Sequence, residues 1–148
     1  MEDEQLKKAK NKAAAKEINI AREPGGKGIM VEVLLNDSVK VNLVLDTGAS
    51  IVALSRKTGE ELGMDLSDTK KDLIQMRLAD GSSTMAKVII LKSVKVQDVE
   101  VKNVMAAVML DEVPAIGLTE GLLGMSFLSK FNLKTDLKNM KMTLEKIE

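Results

Sequence analysis

In this 148-residue chain, the run Leu45-Asp46-Thr47-Gly48-Ala49-Ser50 holds the residue types best placed to do chemistry. Asp46 ends an apolar stretch, and Gly48 lets the backbone turn sharply and lets another chain approach closely. Thr47 offers a hydroxyl that can lock neighbouring main chain. Ala49 keeps the space beside the carboxylate small, and Ser50 can donate a hydrogen bond to it from the following turn. Together these residues would mount one acid rigidly. A structural turn aspartate uses the same residue types, so the tripeptide Asp-Thr-Gly does not by itself decide between the two readings.

What such an acid could do is bounded by what the chain lacks. It has no His and no Cys, which excludes a Ser-His-Asp triad, a Cys nucleophile, a disulfide framework and an ordinary zinc site. Asp, Glu, Lys and water remain for acid–base work. One carboxylate is insufficient to hydrolyse an amide with activated water. Two that share a proton suffice, because like charges about 3 Å apart cannot both ionise. The ionised member then takes a proton from water while the protonated one polarises the carbonyl. With a single Asp-Thr-Gly in the sequence, the second carboxylate would come from another copy of the chain across a two-fold axis.

Composition narrows the partners. Lys plus Arg and Asp plus Glu each total 22, so there is no basic footprint for nucleic acid. Two Phe and no Trp or Tyr leave no stacking platform for single strands or sugars. The ten methionines are expected to fill core space that aromatics would otherwise occupy. No cofactor and no metal are expected, since the adjacent carboxylates Asp111-Glu112 make a poor ligand set. No apolar run reaches the ~18 residues that span a bilayer, and Met1-Glu2-Asp3-Glu4 is acidic where a signal peptide is basic. As written, the chain is expected in the cytoplasm, with a membrane reached only through an anchor outside this sequence.

The elements that must position Asp46 can be read from hydrophobic spacing. Residues 1–27 are rich in Lys, Glu and Ala and end in Pro24-Gly25-Gly26, which reads as a charged, flexible or helical leader. From Gly28 the pattern is that of strands. Ile29 to Leu35 is apolar-rich, Asn36-Asp37-Ser38 carries turn chemistry, and Val39, Val41, Leu43 and Leu45 alternate with polar residues, delivering Asp46 at a strand end. Ile51 to Leu54 reads as a short strand. Ser55 is placed to cap a helix over Arg56 to Leu62, with Gly63 as its stop. Asp72 to Leu91 reads as a long hairpin turning at Asp80-Gly81, followed by a hairpin around Gln97-Asp98 and a strand over Val104 to Leu110. After a loop with Pro114 and Gly117 come Leu122-Leu123-Gly124, a helix from Met125 to Phe131, and two strands flanking Asp136 to Asn139. The sum is an all-β fold, a closed or partly closed barrel with one or two short helices.

The stretch Val41 to Ser50, taken with Leu122-Leu123-Gly124 and the helix after it, resembles the retropepsin family, and more closely the retropepsin-like aspartic proteases of bacteria and archaea. The resemblance covers about residues 28 to 147. It implies a retropepsin-like domain over 28–148, a homodimer with its cleft on the dimer axis, and hydrolysis of peptide or protein substrates. By position, Asp46 matches the catalytic aspartate, Thr47 the residue that interlocks the two loops across the axis, and Gly48 the end of that loop. Ala49 falls beside the substrate, and Asp80, Gly81 and Ser82 match a flap tip whose backbone would bond an extended peptide. Leu122-Leu123-Gly124 matches the element that buttresses the catalytic loop. The sequence departs from the viral members in having Met125-Ser126 where they carry Arg and a polar residue. It also lacks their Gly-rich flap tip. A non-catalytic module of the same fold, for dimerisation or peptide binding, is the competing expectation.

Overall fold

The computed structural model describes residues 15–24, 28–67, 71–77, 81–111 and 120–147. Its strands, in chain order, are β1 (Ala15–Asn19), β2 (Ala21–Arg22), β3 (Ile29–Leu35), β4 (Val39–Leu45), β5 (Val52–Leu54), β6 (Leu73–Arg77), β7 (Ser83–Val96), β8 (Val99–Met109), β9 (Gly121–Leu123), β10 (Phe131–Asp136) and β11 (Lys141–Lys146). Two short helices, α1 (Arg56–Glu61) and α2 (Met125–Leu128), complete the described elements.

The alternation read in the sequence becomes a physical division of faces. On β3 and β4, Val31, Val33, Leu35, Val39, Val41 and Leu43 are buried, and the residues between them point the other way, as pleating requires. The two strands pair antiparallel from Leu35↔Val39 to Met30↔Val44, and the turn between them places Asn36 and Asp37 at positive φ. Asn and Asp tolerate that conformation better than other residues with a Cβ.

The larger sheet has the order β2-β3-β4-β9-β5-β8-β7-β6, and an additional β3–β7 pairing closes β3, β4, β9, β5, β8 and β7 into a six-stranded barrel. This is the closed form of the all-β barrel that the sequence implies. Two contacts in the ring are parallel, β4 with β9 and β5 with β8. The barrel is filled by aliphatic side chains from every strand of the ring together with Phe127 and Leu128 of α2. The chain's two aromatic rings, Phe127 and Phe131, pack on each other with centroids 5.1 Å apart. A separate three-stranded sheet, in the order β1-β11-β10, lies beside the barrel.

Several boundaries differ from the sequence reading, each for a tertiary reason. The composition of residues 1–27 suggested a helical or flexible leader, but residues 15–19 are strand. They pair antiparallel with β11 from Ala15↔Glu145 to Asn19↔Lys141. Ile18 is wholly buried, and the Gln97 side chain grips the outer side of β1, accepting from Asn19 N at 2.7 Å and donating to Glu17 O at 3.2 Å. An open edge on β11 and two buried apolar residues, Ile18 and Ile20, outweigh the local helix propensity of Ala, Lys and Glu. α2 stops at Leu128, and Phe131 opens β10 instead of closing the helix. β8 runs unbroken through residues that read as two separate strands, with Asn103 at positive φ absorbing the irregularity. The methionines divide: Met109 and Met142 are fully buried, whereas Met85 and Met105 are exposed. α1 begins as expected, with Ser55 Oγ accepting from Thr58 N at 3.2 Å. Asp80 and the loop with Pro114 and Gly117 lie outside the described residues.

Candidate active site

Asp46 is placed by topology before it is placed by any side chain. β9 lies between β4 and β5 in the sheet, parallel to β4 and antiparallel to β5. The chain therefore rises along β4, arches over the end of β9 and returns along β5. Residues 46–51 form that arch, and Leu123-Gly124 emerges directly beneath it.

Main-chain hydrogen bonds fix the arch at both feet. Asp46 N donates to Leu123 O at 3.1 Å, Ala49 N donates to Asp46 O at 3.2 Å, and Met125 N donates to Ala49 O at 2.8 Å. The fit leaves no room for a side chain at residue 124. A Cβ there would lie 2.2 Å from Ile51 O and 2.8 Å from Ala49 O, well inside van der Waals contact, so glycine is required by close approach. This gives the Leu-Leu-Gly buttress of the sequence reading a steric basis.

The Asp46 carboxylate is half-buried at the top of the arch, with Thr47, Gly48 and Ser50 exposed and Ala49 half-buried around it. Its Oδ1 accepts from Gly48 N at 2.9 Å. A main-chain N–H thus occupies the role that the sequence offered to Ser50. A backbone donor cannot rotate away, so it orients the carboxylate more firmly than a hydroxyl would. Gly81 and Ser82, also expected at the site, are exposed at the head of the β6–β7 hairpin, with Gly81 at φ +88°.

An apolar layer that the sequence reading did not assign to the site joins these two regions. Val52 and Leu54, Leu123, and Ala106 and Val108 point into the barrel, so their neighbours Ala53, Leu122 and Ala107 point to the opposite face. There Ala53, Ala86, Ala107 and Met109 form a second small core, with Ile51, Ile74, Met76 and Leu122 half-buried against it. Pairing explains the continuity: Ala53 faces both Leu122 and Ala107, and Ala86 faces both Met109 and Ile74. The layer runs from Ile51 in the arch to Met76 in the hairpin. Alternation of Ile74 and Met76 with Gln75 was the available signal. It identified a face without saying what the face adjoins.

The carboxyls held below their usual range lie away from the arch. Ser67 hydrogen bonds, from its side chain and then its backbone, lower Asp65, and Asn139 lowers Asp136 in the same two ways. Both are exposed, Asp65 in an irregular segment after α1 and Asp136 at the end of β10. Among the described residues, no group of three or more potential ligands is placed to hold a metal, and no helix is long and apolar enough to cross a membrane.

Comparison with known proteins bears on this geometry. The family model described as "gag-polyprotein putative aspartyl protease" matches residues 31–130, which takes in the arch, the hairpin and Leu122-Leu123-Gly124. A retropepsin-like aspartic protease from Rickettsia conorii superposes with a TM-score of 0.63 at 29% identity, over 89% of this chain and 91% of that one. The retroviral protease-like domain of Ddi1 from Leishmania major has the same fold, with a TM-score of 0.55 at 17% identity, over 83% of this chain and 96% of that one. An uncharacterized protein of Rickettsia prowazekii is 36% identical over 115 residues, which are 78% of this chain and 46% of that protein. The chain thus spans about half the length of the curated relative it matches.

Proposed function

The chain belongs to the retropepsin-like aspartyl protease family, and from that premise we propose that it is an aspartic endopeptidase, active as a homodimer in which each protomer supplies one Asp46. The observation that carries the reading is the arch. It presents a half-buried carboxylate oriented by Gly48 N–H, held from beneath by the main chain of residues 123–125, in a sequence with a single Asp-Thr-Gly.

Two such arches facing across a two-fold axis would form the carboxylate pair. One Asp46, ionised, takes a proton from water as the water oxygen bonds to the scissile carbonyl carbon. The other, protonated, gives its proton to the carbonyl oxygen. Collapse of the tetrahedral intermediate returns that hydroxyl proton to a carboxylate and delivers the other to the departing amine. The pair again holds one proton at the end of the cycle. Such a pair works only while it shares one proton, so activity falls in acid, where no base remains, and in alkali, where no acid remains. Gly81 and Ser82, with Asp80, would sit at a flap tip that bonds an extended peptide in the manner of an added strand. The apolar layer from Ile51 to Met76 would receive the peptide's side chains, beside Ala49. Thr47, exposed on the arch, would interlock with its counterpart on the partner. Residues 28–148 would carry the protease, with residues 15–19 of the expected 1–27 leader pairing to its β11.

The test is a peptide-library digest of the wild type beside Asp46→Asn. The variant should keep the fold and lose about 10³-fold or more in activity, and activity per chain should fall on dilution as dimers dissociate. Equal cleavage by the variant would end the proposal. Met125 standing where viral members carry Arg favours one second reading, a non-catalytic dimerisation or peptide-binding module. A stable wild-type dimer that cleaves nothing in the library would support that reading instead.

A further inference from the structure

Ser126 lies outside the arch, on α2. Its hydroxyl accepts from Val52 N at 2.9 Å and donates to Met105 O at 2.6 Å. Val52 opens β5 and pairs in parallel register with Ala106. In such a ladder the N–H of one residue is directed at the carbonyl of the residue preceding its partner, here Met105. The Ser126 hydroxyl therefore bridges the two backbone groups that face each other at the first step of the β5–β8 ladder, where the strands open and the arch begins.

The other holds on the arch differ in kind. Asp46, Ala49 and Ile51 are met by the main chain of Leu123, Met125 and Gly124. Among the described residues, Ser126 is the side chain from this buttress that bonds the arch's downstream foot. Val52 is wholly buried, so its N–H, left without the hydroxyl, would have to close directly on Met105 O across the space the hydroxyl now fills. The cost of leaving such a group poorly bonded is comparable to a lost hydrogen bond. Relief would come from movement of residues 49–52, which carry the arch and hence the carboxylate.

We infer that Ser126 is a positioning residue for the Asp46 arch, setting carboxylate geometry through the Val52 foot. This role rests on the protease reading above. Its readouts separate positioning from mere stability. In the full chain, Ser126→Ala should lower kcat by about 10- to 100-fold with little change in KM. The pH profile should narrow, since a displaced arch shares the dyad proton less well. Amide exchange at Gly48 and Val52 should accelerate, while the dimer and the cooperative unfolding transition persist at assay temperature. Ser126→Thr keeps the hydroxyl and should recover most of the lost kcat.

Unchanged kcat and pH profile in a folded Ser126→Ala dimer would overturn the role and leave the protease reading intact. A loss of activity matched by an equal loss of folded dimer would also overturn it, because that marks a structural residue only. A wild type as inactive as Asp46→Asn would sink the protease reading and this role together.

Discussion

The arch at Asp46 and the head of the β6–β7 hairpin at Gly81 both turn the chain from one strand into the next, but the protein holds them in opposite ways. The arch is bonded from beneath by residues distant in sequence, at Asp46, Ala49 and Val52, and it sits so close to Gly124 that no Cβ fits. The hairpin head has exposed residues on both strands: Gln75, Arg77, Ser83 and Met85. A Cβ added at Gly81 would meet nothing within 4 Å. Close packing beneath the carboxylate and open space at Gly81 are the contrast; under the proposed function it would hold the acid in a fixed geometry and leave the hairpin head room to cover a peptide. The apolar layer from Ile51 to Met76 ties the two together at the hairpin's base.

Substitutions can break or sharpen this contrast. The largest expected effect on folding is Gly124→Ala, which places a methyl group against Ile51 O and Ala49 O. It should cost about 3 kcal/mol as backbone is forced apart, read as a lowered denaturant midpoint. A stability within error of wild type would show that the arch is not tightly seated. Gly81→Ala should cost only about 1 kcal/mol, the strain of a left-handed conformation with free space around it. It should act mainly on KM by stiffening the hairpin head. A kcat loss as deep as that of an arch variant, with KM unchanged, would erase the distinction between the two regions.

The smallest effect calibrates a turn that belongs to neither. In the β10–β11 turn, Asn139 Nδ2 donates to Asp136 Oδ2 at 2.7 Å and Asn139 N donates to Asp136 Oδ1 at 3.2 Å. Asn139→Ala should move Asp136 up toward its ordinary range in an NMR titration. Because the folded carboxyl is depressed, its contribution to stability is present above the unfolded pKa and fades as pH falls through the folded one. The variant should lose part of that contribution in neutral solution, with no change at Asp46. Activity that followed this substitution would tie the terminal sheet to the site.

Most of the barrel was legible because its strands announce themselves locally. Val39 to Leu45 alternates, Ser55 caps a helix, and Asn36-Asp37 turns a hairpin, each from interactions within a few residues. Asp46 and Leu122-Leu123-Gly124 were legible as two motifs for the same reason. Their union was not, since nothing in either motif states that β9 inserts between β4 and β5. Ile18 and Ile20 could not be recognised as core among Lys16, Glu17 and Asn19, because two apolar residues are too short a period to outweigh a run rich in Ala, Lys and Glu. Ser126 carried no signal at all, since a serine on a short helix bonds whatever backbone the fold brings within reach.

The amino-acid order by itself determined where the barrel's strands lie, which face of each is apolar, and that one carboxylate stands at a strand end near a glycine. Those are consequences of side-chain period and turn chemistry, which act over a few residues. The tertiary structure alone decided that residues 15–19 complete a sheet with β11, that the arch rests on residues 123–126, and that an apolar layer links it to the hairpin. Each of these depends on strands far apart in the chain meeting in one register. Pairing across such distances is selected by the closure of the whole barrel and by which edges are left open, and no local preference encodes it.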